Sequence, residues 1–158
     1  MRRLLVLFLI SSVGAFAQDT GGDDSVVMVG ASDPKMVAAI KKARATLDDF
    51  LQVAANPPPG ASGFKLKVAV RYPGGAEHMW VTPFVVTSTG FQGTLSNVPA
   101  KVQSMKIGQV FQFTRGEVSD WGYTLNGRQI GSFTVCALFV SMPRDKADFY
   151  RKNYGFEC

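Results

Sequence analysis

The chain is poor in the groups that do chemistry. Its 158 residues contain one histidine, His78, and two cysteines, Cys136 and Cys158. One imidazole with no second histidine excludes the paired-histidine zinc motifs, and two cysteines alone cannot complete a tetrahedral site. No Gly-x-Ser-x-Gly segment is present, so no strained serine elbow stands out. No phosphate-cradling glycine loop appears, and Gly74-Gly75 only turns a hairpin. Charged residues make up 18% of the chain, below the usual quarter. The charges alternate in sign along the chain, which argues against the one-sided basic stripe of a nucleic-acid binder. Asp19, Asp23 and Asp24 lack the spacing of a calcium loop. The sequence therefore calls for no cofactor and no metal.

What is present begins with an address. Met1-Arg2-Arg3 is a short positive segment, Leu4 to Ile10 is unbroken and apolar, and Ala15-Phe16-Ala17 ends in small residues. This is the three-part pattern of a secretory signal, with cleavage expected after Ala17. The apolar run is too short for a permanent membrane span. The expected location is the periplasm or outside the cell, with no membrane anchor after cleavage. Removing 17 residues, two of them arginines, leaves 141 and lowers the net charge from +5 to +3. Residues 18–31, with Asp19, Asp23 and Asp24 among glycines, read as a mobile acidic leader. Residues 32–158 have the length of one domain.

Export changes the meaning of the cysteines. In an oxidising compartment Cys136 and Cys158 are expected to form one disulfide. It would close about 22 residues, worth roughly 3 kcal/mol in the chain-entropy account. Their spacing is not the Cys-x-x-Cys of a redox pair.

The domain opens with Asp33-Pro34, a cap (Ser32 or Asp33) followed by a first-turn proline. Met36, Ile40, Ala43, Leu47, Phe50, Leu51 and Ala54 recur at helical spacing and predict one amphipathic helix. Asn56-Pro57-Pro58-Pro59-Gly60 ends it. From Phe64 to Tyr72 the pattern alternates. Phe64, Leu66, Val68, Val70 and Tyr72 face one way, and Lys65, Lys67 and Arg71 form an outer face expected to be solvated, with an acidic partner as the alternative. Residues 77–87 form a second strand, apolar on both faces and expected to be covered on both for part of its length. Trp80, Phe84 and Val86 share one face there, and Pro83 requires a bulge or an edge. Phe91, Gly93 and Leu95 mark a third strand. Val102, Met105 and Ile107 are expected to pin the next connector. Val110 to Phe113 is a short strand. Trp121 to Ile130 is a hairpin around Asn126-Gly127, a type I′ signal. The apolar pattern of residues 133–140 fits a buried helix or strand, with a Ser132 cap favouring the helix, and a polar helix covers 144–153. The sum is an α+β domain: an N-terminal helix on a curled antiparallel sheet of five or six strands, with one or two C-terminal helices.

Several segments together form a recognisable pattern. They are Glu77-His78-Met79-Trp80-Val81, Gly90-Phe91-Gln92-Gly93-Thr94-Leu95-Ser96-Asn97, Met105-Lys106-Ile107-Gly108-Gln109, Val118-Ser119-Asp120-Trp121-Gly122-Tyr123 and Gly131-Ser132-Phe133-Thr134. With the preceding helix and its Asn56-Pro57-Pro58 stop, the chain resembles the bacterial YegJ-like family, a domain of unknown function, from about Asp33 to Val140. The resemblance implies a small α+β domain and brings no activity with it. The cysteine pair is not part of that pattern.

Candidate site residues are few. His78 with Glu77 or Asp120 would be the acid–base pair of an envelope-acting hydrolase. Glu77 and His78 are neighbours on a strand and should face opposite ways; Glu117 and Asp120 are the carboxylates that the second hairpin could bring to His78. Trp80, Trp121 and Tyr123 beside Glu77 and Asp120 would make an aromatic patch for a protein anchor, a peptide or a sugar. The alternative for Asp120-Trp121 is structural: a carboxylate fixing a turn and an indole filling the core. With no catalytic set and no cofactor loop, the leading expectation is a non-enzymatic module that binds a protein in the cell envelope, in its most concrete form an immunity-type inhibitor of a toxin. A hydrolase and a glycan-binding envelope protein are the alternatives.

Overall fold

A computed structural model of the protein describes residues 33–158. The signal segment and the leader lie outside the described residues, as does Ser32. The first helix, α1 (Pro34–Ala45), starts where Asp33 Oδ1 accepts the Lys35 and Met36 N–H groups at 2.8 and 3.1 Å. The single predicted helix is in fact bent. Thr46 leaves helical geometry (φ −110°, ψ 12°), and α2 (Leu47–Ala55) follows at once. The Thr46 hydroxyl donates back to Lys42 O at 2.9 Å, a bond that competes with the helix ladder and bends it. Ala43, Leu47 and Phe50 form the buried stripe.

Six strands follow: β1 (Ala61–Tyr72), β2 (Gly75–Thr87), β3 (Gly90–Leu95), β4 (Val110–Phe113), β5 (Val118–Leu125) and β6 (Arg128–Gly131). They form one open antiparallel sheet in the order β4-β3-β2-β1-β5-β6. The expected α+β architecture is thus present. Asn126 (φ 50°) and Gly127 (φ 82°) make the tight β5–β6 turn. Two further helices, α3 (Phe133–Phe139) and α4 (Arg144–Tyr154), close the chain.

One face of the sheet is covered. Leu66, Val68, Val81, Phe91, Val118, Trp121 and Tyr123 pack with Leu47 and Phe50. Farther along the same face, Met79 and Leu95 are covered by Val102 and Met105 of the 96–109 connector. Ile107, expected to pin that connector, is 56% exposed. The proline prediction holds. Register shifts between Val81↔Leu95 and Phe84↔Gly93, and an extra residue in one strand exchanges the faces of the residues beyond it. Phe84 therefore leaves the Trp80 face and packs 5.9 Å from Phe50. Val85 and Val86, beyond the shift, are exposed, so the end of β2 is not covered on both sides.

The C-terminus is tied down as the cysteines suggested. Cys136 and Cys158 are disulfide-bonded, with Cα atoms 5.5 Å apart. The tail also meets β6, through Gln129 N–H to Gly155 O (2.9 Å) and an Arg128–Glu157 ion pair. Phe156 packs edge-on against Phe139. No described helix is long and apolar enough to cross a membrane.

Candidate functional site

The alternation of β1, β2 and β5 puts Lys65, Lys67, His78, Trp80 and Asp120 on the face opposite the one that packs on α1 and α2, and the start of α3 reaches this face at Lys67 and Asp120. The register Trp80↔Lys67↔Asp120 places three of them in one row across the sheet. Trp80 belongs to neither apolar cluster. Its partners are the two lysines, whose Nζ atoms lie 4.8 Å (Lys65) and 5.1 Å (Lys67) from the ring centroid, within the reach of a cation–π contact. Of the basic face expected to be solvated, Arg71 is exposed, whereas Lys65 and Lys67 are half-buried with their ammonium groups set against the indole.

Asp120 is fully buried, and all its capacity goes to structure. Its Oδ1 accepts Trp121 N–H (2.9 Å) and Phe133 N–H (3.2 Å); its Oδ2 accepts Thr134 N–H (2.7 Å) and the Thr134 hydroxyl (2.6 Å). Asp120, not Ser132, caps α3. Ser132 has φ 53°, and its hydroxyl donates to Gln129 Oε1 instead. That start of α3 fits closely over β5, where a Cβ on Gly122 would sit 2.5 Å from Ser132 Oγ. Burial pushes the Asp120 carboxyl up, against the donors that favour its charge. Lys67 Nζ donates to Thr134 Oγ1 at 3.1 Å, so it reaches Asp120 only through that hydroxyl. Desolvation lowers both lysines; the Asp120 charge opposes this, and the neighbouring Lys65 charge adds to the shift at Lys67.

His78 does not meet a carboxylate. Its Nδ1 lies 2.8 Å from Ser119 Oγ, a partner the sequence did not single out. Between Lys67↔Asp120 and Val68↔Val118 the register shifts, leaving Ser119 as the extra residue on β5, and such a bulge re-aims side chains. The Ser119 hydroxyl donates to Lys67 O at 3.2 Å. A hydroxyl has one hydrogen, so its oxygen is then the acceptor and His78 Nδ1–H the donor. Ser119 is 0% exposed, out of reach of a substrate. His78 itself is lowered by desolvation and by the Lys67 and Arg44 charges. Arg44 stands at the end of this row, bonded to Val118 O and Gly116 O at 2.9 and 2.8 Å.

The remaining predicted residues lie apart. Glu77, on the opposite face from His78, accepts Ala100, Lys101 and Val102 N–H at 2.6, 2.9 and 2.9 Å and holds the connector. Desolvation pushes it up, but these bonds and the Lys101 charge outweigh it and hold it below the usual carboxylate range. Glu117 accepts from Thr114 in a capping box. Trp121 and Tyr123 are buried under the helices. Trp121 stacks 4.9 Å from Phe50 and donates its indole N–H to Ala43 O at 2.9 Å. The aromatic patch of Trp80, Trp121 and Tyr123 is thus divided between the two faces. No group of three or more His, Cys, Asp or Glu able to hold a metal occurs among the described residues.

Residues 33–158 match the model of DUF2314, described as an uncharacterized protein conserved in bacteria. The match runs to the final residue, past the span carried by the sequence motifs. The uncharacterized protein YegJ of Escherichia coli K12 is 29% identical over 153 residues, covering 96% of this chain and 97% of that protein. A putative ankyrin repeat protein of Neisseria meningitidis serogroup B is 25% identical over 81 residues, 51% of this chain and 32% of that protein. No solved structure gives a significant match.

Proposed function

The chain belongs to the bacterial DUF2314 family, and from its geometry we propose that it is a non-enzymatic module that binds a protein partner in the cell envelope. An immunity-type inhibitor that occludes a toxin is the concrete form of this reading. Export by the residue 1–17 signal, cleaved after Ala17, would place it in the periplasm or outside the cell.

The carrying observation is the wiring of the chain's one histidine. A serine hydrolase needs an accessible hydroxyl that gives its proton to the imidazole. Ser119 is buried, and its proton points to Lys67 O. Neither carboxylate named for the hydrolase reading serves His78, because Glu77 holds the connector and Asp120 holds α3. What the open face offers is two cations displayed on an indole, a surface suited to recognition. The same indole would suit a sugar ring in the glycan-binding alternative, but the paired charges favour a charged protein surface.

The test is affinity purification of the tagged mature protein from periplasm, followed by reconstitution with each recovered protein. The expected result is a one-to-one complex of purified components that suppresses the partner's activity. Hydrolysis of an envelope substrate by the purified protein, abolished in His78→Ala, would overturn the reading.

A further inference from the structure

Among the described residues, Lys65 and Lys67 have no anionic partner within ion-pair distance. The ion pairs Arg115–Asp48, Arg128–Glu157 and Arg151–Asp148 all lie elsewhere. The one carboxylate in the row, Asp120, is saturated by four donors from Trp121, Phe133 and Thr134. Lys67 reaches a neutral hydroxyl, and the Lys65 ammonium sits over the Trp80 ring. Two ammonium groups close enough to repel are thus held over one indole, with the Arg44 charge nearby and His78 disfavoured as a cation by these neighbours. Such an arrangement loses solvation that the Asp120 charge and the Thr134 hydroxyl restore only in part, and an incoming anion would supply the rest.

Geometry narrows the anion. Side chains two apart on one strand face repeat at about 6.5–7 Å. An extended peptide with acidic residues at alternate positions has the same repeat. The site lies on the face of an antiparallel sheet, with no glycine loop to wrap a single phosphate. Trp80 between the lysines provides the flat apolar platform that anchors a peptide side chain.

We propose that the Lys65–Lys67–Trp80 row binds an acidic extended segment of the protein partner, with alternate carboxylates paired to the two ammonium groups across the indole. This rests on the binding-module reading and names the partner's chemistry. Arg44 and His78 mark one end of the row, where a third acidic side chain would lie.

The probe is an eight-residue peptide of alternating Glu and Thr, titrated into isotope-labelled protein while both indole N–H signals are followed by NMR. The Trp80 signal should shift saturably, and the Trp121 signal, held by Ala43 O, should stay. Affinity should fall with added salt. Lys65→Gln should weaken binding about threefold to fivefold, and Trp80→Leu, followed by the backbone amide signals of Lys65 and Lys67, about tenfold or more, each with an unchanged Trp121 signal as the folding control. An equal shift with the Gln-Thr peptide, or no saturable shift at Trp80, would overturn the proposal. So would tighter binding through the same lysines by inorganic phosphate or by vesicles containing anionic lipid. The two readings fail separately. A purified partner that still binds Lys65→Gln at full strength sinks this surface and spares the module. Peptide binding at Trp80 with no partner recovered does the reverse.

Discussion

The molecule has two tryptophans in opposite situations, on opposite faces of one sheet. Trp121, in β5, is 6% exposed, stacked on Phe50, met edge-on by Phe133 at 5.3 Å, and bonded through its indole to Ala43 O. Trp80, two strands away, belongs to no apolar cluster and carries two lysines. The first is what a core does with a large ring: it surrounds it with carbon and gives its one N–H a carbonyl. The second leaves the ring half-buried and sets charge around it. The contrast teaches where stability and recognition lie. Substitutions around Trp121 should act on folding, and substitutions around Trp80 should act on binding.

The largest expected effect breaks the helix side. Trp121→Ala removes the ring that joins α1, α2 and α3 to the sheet. The glycine beside it shows how tightly the ring is held, since a Cβ on Gly131 would lie 2.5 Å from its six-membered ring. The loss should be about 3–5 kcal/mol, read as a fall in the urea midpoint. Trp80→Ala in the same assay should cost far less. If the two cost the same, the division between a folding face and a binding face is wrong.

The second effect sharpens how the covered face is sealed at its other end. Glu77 is held below the usual carboxylate range by three backbone N–H groups of residues 100–102. A carboxylate lowered on folding gives stability that is present above its unfolded pKa and is lost as pH falls through its lower folded value. Glu77→Gln removes the charge and should cost about 1–2 kcal/mol near neutrality. The difference from the parent protein should shrink on acidification to below the ordinary glutamate range, measured as melting temperature against pH. A difference constant over that range would mean that the connector is held by Val102 packing alone.

These two positions also show what was legible in the sequence. Periodicity revealed the strands and helices because burial imposes period two on a half-covered strand and 3.6 on a helix. Pro83 announced its interruption, because a proline cannot complete a ladder. What stayed hidden depended on register. Which residue of β5 faces Lys67 is decided by two irregularities in the β1–β5 pairing, and neither marks the residue types. Ser119 as the partner of His78 and Asp120 as the cap of α3 both depend on that register. Lys65 and Lys67 were visible as a basic alternation. Their solvated reading failed because the alternation says nothing of a tryptophan on the next strand. Thr46 looked like an ordinary helix residue, and its back-bond to Lys42 O needed coordinates to see.

The smallest expected effect on stability is at Lys67, and its sign is the sharpest test of the comparison. Desolvation and the Lys65 charge lower this ammonium, and only the Asp120 charge opposes them. A lysine lowered on folding gives stability that is present above its unfolded pKa and lost as pH falls through its folded value. Below that folded value the protonated side chain is a cost to the fold. Lys67→Met keeps the apolar stem over Trp80 and removes that cost, at the loss of one bond to Thr134 Oγ1. The thermal midpoint should stay the same or rise, by the equivalent of up to about 1 kcal/mol, while affinity for the Glu-Thr peptide falls. Lower stability with unchanged affinity would make Lys67 a structural bridge to Asp120, and Lys65 alone would then carry the charge on the open face.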